Sequence, residues 1–173
     1  MSMTGTQFIA LARPRIGDSA KVTYDDDELL GYLNDGIEQV SLSRIGAKDP
    51  TMVTEVSVVP GTTAVPDGFT GFAEQYPVYF SGGKIVALDG SITAKTVRYF
   101  AVKPRLTALS ETLPFGDEAV PALLNYVIAA AAARVGANAE TEGALAQRSN
   151  GALQNAGTGV GRAMNVGAVS KNA

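Results

Sequence analysis

The run from Ala122 to Val135 limits most strongly what this chain can fold into. Leu123, Leu124, Val127, Ile128 and the consecutive alanines Ala129–Ala133 leave it apolar on nearly every side. A membrane-spanning helix needs about 20 apolar residues, and this run is shorter. It is therefore expected to be a helix buried between neighbouring helices, whose backbones the alanines let approach closely. Asp117 and Glu118 precede it as helix-starting acids, and Pro121 fits a first turn, where no N–H is required. The fold must then supply other helices with apolar faces to receive it.

Two earlier segments meet that demand. A short helix is predicted around Thr6–Arg13, carrying Phe8, Ile9 and Leu11 and ended by Pro14 and Gly17. A longer one opens after Thr23 or Tyr24 with the acid run Asp25–Glu28, which complements the positive end of the helix dipole. Leu29, Leu30, Leu33, Ile37, Val40 and Leu42 then fall largely on one stripe, and Gly46 and Pro50 close the helix. The acid run reads as a helix start. As a metal site it would need converging carboxylates, whereas adjacent residues point around a helix.

From Met52 to Phe100 the periodicity changes to two. Met52–Val58 reads as a strand ending at Pro60-Gly61, and Val65-Pro66-Asp67-Gly68 as a turn or loop. Val78–Phe80 and Lys84–Leu88 flank Ser81-Gly82-Gly83 as a hairpin, and Asp89-Gly90 forms another tight turn. Thr96–Val102 makes a further strand before Pro104. After the apolar helix, which breaks or pauses near Gly136, Glu140–Leu153 reads as a more polar helix with Leu145, Ala146 and Leu153. Beyond Asn155, glycines alternate with small and polar residues. Such a segment alone buries too little surface to offset its ordering entropy. A partner subunit is the expected surface for it, with a crystal contact or docking on its own body as the other routes.

The expected fold is therefore α+β: mainly a helical bundle, with a small inserted antiparallel β-sheet and an extended C-terminal tail. The division is 1–156, with the β insertion at about 52–103, and 157–173 as the tail.

Charge is uneven along this chain. Residues 17–49 carry a net −5 and residues 134–173 a net +2. That asymmetry suits charge-complementary contact within or between copies, as well as plain solvation of exposed faces. The formal total of −3 supplies no general attraction for a polyanion. Arg98, Lys103 and Arg105 read either as a basic face at the end of the sheet, able to meet DNA in a channel, or as a solvated strand edge.

Candidate chemistry is sparse. The chain has no Cys and no His, which removes disulfides, thiol and imidazole catalysis and most transition-metal sites. Gly157-Thr158-Gly159-Val160-Gly161 superficially matches a phosphate loop but lacks the following Lys-Ser/Thr and a preceding strand. Ser81-Gly82-Gly83-Lys84 reads better as a hairpin turn. No convergent acid–base constellation is evident. No catalytic, cofactor-binding or metal residues are assigned. Met1–Ala10 lacks the charged start and apolar core of a secretion signal. The expectation is a soluble, non-secreted protein without enzymatic activity.

Two stretches resemble the head-to-tail adaptor (connector) proteins of tailed bacteriophages. Asp26-Asp27-Glu28-Leu29-Leu30-Gly31-Tyr32-Leu33-Asn34-Asp35-Gly36 is similar to that group's Glu-Leu-Leu-x-x-Leu-Asn-Asp-Ala helix. Leu113-Pro114 followed by Pro121-Ala122-Leu123-Leu124-Asn125-Tyr126-Val127 resembles its second signature, a helix entered through Pro and carrying Leu-x-x-Tyr-Val. Gly36 stands where Ala is usual, and alanines follow where more polar residues are common. The match covers 25–50 and 113–150, and the sheet by arrangement only.

The resemblance implies a non-catalytic virion protein of the neck, assembled in the host cytoplasm. Its copies would form a ring, commonly dodecameric, beneath the portal protein and above a tail or nozzle protein. DNA would pass through without specific binding, and no membrane is involved. The C-terminal arm would lie against the portal, with Val160, Arg162, Met164, Val166, Val169 and Lys171 as the docking residues. Tyr79, Arg98 and Tyr99 on the sheet are the expected contacts to the tail or a neighbouring copy. Other readings are a different virion component (head-completion stopper, tail terminator or decoration protein) and, more remotely, a small enzyme or ligand-binding domain.

Overall fold

The computed structural model describes residues 3–134, and their architecture is α+β. Helix α1 spans Gly5–Ala12. Thr4 and Gln7 form a reciprocal capping box at its start, each side chain taking the other's backbone N–H. Helix α2 spans Asp26–Gly46, and its cap is Asp25, one residue beyond Tyr24 and two beyond Thr23, the residues expected there. The Asp25 carboxylate accepts the Glu28 N–H at 2.6 Å, so the acid run does act as a helix start. Leu29, Leu33, Ile37 and Val40 are fully buried, whereas Leu42 is 43% exposed. At 100° per residue Leu42 falls on the opposite side of the helix from the buried stripe.

A single turn of 3₁₀ helix, Pro50–Met52, leads into strand β1, Val53–Val58. Strands β2 (Phe69–Phe72), β3 (Val78–Ser81), β4 (Lys84–Ala87) and β5 (Lys95–Ala101) follow. They form two antiparallel sheets and not the one expected: a three-stranded sheet in the order β1-β5-β2 and a separate β3-β4 hairpin. Gly82 and Gly83 both have positive φ, 56° and 73°, as the two-residue hairpin turn requires. Strand β2 had no counterpart in the sequence reading.

A second 3₁₀ turn, Asp117–Ala119, opens helix α3, Val120–Arg134. Ala122, Leu123, Leu124, Val127 and Ala131 of α3 are buried, as the apolar run demanded. They join Phe8, Ile9 and Ala12 of α1 and the α2 stripe in one helical core. Val58, Ile85 and Val97 form a second, smaller core inside the β module. No helix among the described residues is long and apolar enough to cross a membrane.

Candidate interaction surface

The β module carries a layer of five aromatic rings. Phe69 meets Phe72 and Phe80 edge-on, both at 5.1 Å between centroids, and stacks on Tyr99 at 5.5 Å. Phe72 stacks on Phe80 at 5.5 Å and meets Tyr76 edge-on at 5.4 Å. These contacts tie the β3-β4 hairpin to the three-stranded sheet, in geometries that aromatic quadrupoles favour. Tyr76 adds a polar fastening, its hydroxyl oxygen accepting the backbone N–H of Arg98 at 2.9 Å.

The same module leaves apolar side chains in water. Of the eight large apolar residues exposed among the described residues, five lie there: Val59, Tyr79, Phe80, Leu88 and Ile92. Ile92 is 79% exposed and Leu88 68% exposed. Single exposed apolar residues are ordinary; that five of the eight fall in one module makes this module the candidate for a contact surface. Tyr79 follows from strand alternation, since its neighbour Val78 packs against the second core.

The sequence-predicted contact residues fare differently from one another. Tyr79 is half exposed, whereas Tyr99 is only 7% exposed and serves the aromatic layer from inside. Arg98 is half exposed but lies between two carboxylates, Glu55 at 3.2 Å and Glu74 at 3.0 Å. Phe80, Leu88 and Ile92 were not picked out by sequence reasoning. Leu88 and Ile92 flank the Asp89-Gly90 turn, and an apolar residue on either side of a tight turn was the available signal.

The three basic residues do not form the basic face considered from sequence. Arg105 donates to Asp35 at 3.1 Å and to Glu38 at 2.8 Å on α2. The hydrogen bond to Glu38 is the main reason its guanidinium holds its proton more firmly than usual. Lys103 donates its Nζ–H to the carbonyl of Thr51 at 3.3 Å. Arg98 and Arg105 thus neutralise acids of the same chain and present little free charge to DNA, while Lys103 keeps its charge beside a neutral carbonyl.

An open cleft of about 660 Å³ lies where the β module joins α2. Glu38, Thr54, Asp67, Lys103 and Arg105 line it, and the Arg105–Glu38 pair crosses its wall. Its charges are of both signs and partly spent on each other, so it selects no ligand charge. Among the described residues no group of three or more metal-ligating side chains converges. Asp25 and Asp26, the start of the acid run, have structural partners instead: Asp25 caps α2, and Asp26 accepts from Arg13 at 2.5 Å.

Residues Val160, Arg162, Met164, Val166, Val169 and Lys171, and the helix expected over 140–153, lie outside the described residues. No protein-family model matches this chain, and no curated protein matches it.

Proposed function

We propose that this chain is a structural head-to-tail adaptor of a tailed bacteriophage, a ring-forming coupling piece between portal and tail. The observation that supports this reading most is the exposed apolar and aromatic surface of the β module, set on a helical body whose charges are largely paired. A surface of that kind suits docking to protein better than binding of a small charged molecule. The resemblance of Asp26–Gly36 and Pro121–Val127 to the adaptor helices adds the assembly in which such docking would occur. In this reading the β module, through Tyr79 and its exposed neighbours, meets the tail or an adjacent copy. Residues 157–173 bind the portal, and the channel lets DNA slide without gripping it.

The test is native mass measurement of the full chain, alone and with purified portal complex. A ring-sized assembly on the portal is expected. Deleting residues 157–173 should abolish portal binding while circular dichroism and the thermal transition of the body persist. A truncated chain that still joins the portal sinks the docking role. A full chain that ignores the portal yet assembles on tail tubes or capsid lattices moves the protein to another virion position.

A further inference from the structure

The chain contains three Asp-Gly pairs, Asp35-Gly36, Asp67-Gly68 and Asp89-Gly90. Such a pair carries a reactivity of its own. The glycine nitrogen attacks the carboxyl carbon of the preceding side chain, water leaves, and a five-membered succinimide ring closes. Glycine permits the attack because no Cβ obstructs it and its backbone turns freely. The fold surrounds the three pairs in different ways.

Asp35 and Gly36 lie inside α2, where the Gly36 N–H belongs to the helical hydrogen-bond ladder. Cα–Cβ bonds in a helix tilt toward its N-terminus, which carries the Asp35 carboxyl away from the next amide. Arg105 also holds that carboxyl, and Gly36 is buried. Asp67-Gly68 stands in the turn before β2. The Gly68 carbonyl accepts the Val102 N–H at 2.9 Å, and a Cβ on Gly68 would come within 2.8 Å of the Val102 oxygen. Ring closure there would have to pull the Gly68 peptide off the segment that follows β5.

Asp89-Gly90 meets neither restraint. It lies in the connection between β4 and β5, and the Asp89 side chain is 60% exposed. Its Oδ1 accepts the Ser91 N–H at 2.9 Å, which folds the carboxyl group back across the Gly90 peptide and polarises the carboxyl carbon. A Cβ on Gly90 would meet nothing within 4 Å. The opposing contacts are slight: the Gly90 N–H reaches the Ala87 carbonyl at 3.2 Å, and Lys95 stands 3.8 Å from the carboxylate. An exposed ion pair of that length holds the ionised, unreactive form only weakly.

We propose that Asp89-Gly90 is a site of spontaneous backbone modification to isoaspartate, whereas the fold protects Asp35-Gly36 and Asp67-Gly68. The Gly90 nitrogen bonds to Cγ of the protonated Asp89 carboxyl and loses its proton, and the carboxyl hydroxyl departs with a proton as water. Solvent water then opens the ring at either carbonyl, restoring aspartate or leaving the main chain routed through Cβ and Cγ. The net change is an isomerisation and needs no oxidant or cofactor. It adds a methylene to the backbone between Leu88 and Ile92, two of the exposed apolar residues of the β module. The inference does not depend on the adaptor reading.

The test is prolonged incubation of the full chain at neutral pH, followed by digestion and labelling of isoaspartyl peptides with an isoaspartyl methyltransferase. Cleavage after Lys84 and Lys95 isolates residues 85–95, in which Asp89 is the only Asp or Asn. Label should accumulate in that peptide at least about tenfold faster than at Asp67 or Asp35, a barrier difference of about 1.4 kcal/mol. A parallel incubation in urea should remove the advantage, since the unfolded chain exposes all three pairs alike. A smaller advantage in the folded chain, or label centred on Asp67 or Asp35, would overturn the proposal. An advantage that survives in urea would assign the selectivity to local sequence and overturn the protection by the fold.

Discussion

Asn34 is buried in the middle of α2, and its amide takes both backbone groups of Leu106: the side-chain oxygen accepts the N–H at 2.7 Å and the side-chain nitrogen donates to the C=O at 2.9 Å. The segment that returns from the β module is thereby hydrogen-bonded to the helical body as a strand would be. Asn34→Ala leaves two buried backbone groups without partners. Each such group costs about 1–3 kcal/mol, so a loss of roughly 2–4 kcal/mol is expected in urea denaturation. Asp18 works similarly in the loop before α2. Its carboxylate accepts the N–H groups of Val22, Thr23 and Tyr24 and a hydrogen bond from Arg13 at 2.6 Å. The Thr23 N–H is the largest cause holding its pKa below the ordinary 3.8, with the other amides and Arg13 adding to it against the opposing effect of burial. The folded chain thus resists protonation at Asp18 more than the unfolded chain does. Its contribution to stability is full above that ordinary value and is lost as pH falls through the lower folded value. Asp18→Asn should lower the urea midpoint at neutral pH and flatten its fall below about pH 4. An unchanged acid limb would assign that fall to other carboxylates. From sequence, Asn34 was visible only as a polar break in an apolar stripe, because its partner lies 72 residues away.

At the scale of elements, α2 offers a comparison between two glycines inside one helix. A Cβ at Gly31 would meet nothing within 4 Å, whereas one at Gly36 would come to 3.3 Å from the Tyr126 ring and 3.4 Å from Leu123. Gly31→Ala should therefore stabilise the protein by about 0.5–1 kcal/mol through reduced backbone entropy in the unfolded chain. Gly36→Ala should gain less, because the half-exposed Tyr126 ring must shift by a few tenths of an ångström to admit the methyl group. Equal gains in thermal denaturation would show that the α2–α3 contact is looser than these distances. Helices α1, α2 and α3 were legible in the sequence because their stripes recur every three or four residues over several turns. Strand β2 was not. It has four residues, one of them Gly71, and the register against β5 shifts between Phe69 and Gly71, so its alternation never repeats.

The whole molecule has two cores joined by two chain crossings and by the bonds of Asn34, Ser41, Lys103 and Arg105. That division sets how damage spreads. Ile85 is fully buried in the small core, and Ile85→Ala should cost about 2–5 kcal/mol. The loss belongs to the β module, so amide exchange should accelerate in β1 to β5 while α2 and α3 amides keep their protection. Uniform acceleration across both parts would show a single cooperative unit. A β module that is independently anchored suits the adaptor reading, since its exposed Tyr79, Phe80, Leu88 and Ile92 can be altered without disturbing the helical body.

What the sequence determined alone was the kind of element at each place and the demand that α3 be enclosed, since local spacing and apolar content decide both. The hairpin turn belongs with these, because Gly82-Gly83 sets its geometry from within. Only the tertiary structure decided that the strands divide into two sheets, that Tyr99 turns inward and that Phe80 shows a half-exposed ring. It likewise decided that Arg98 and Arg105 are neutralised, by acids that are remote along the chain. Those outcomes depend on which distant residues meet, and a one-dimensional pattern of polar and apolar residues holds no record of such meetings.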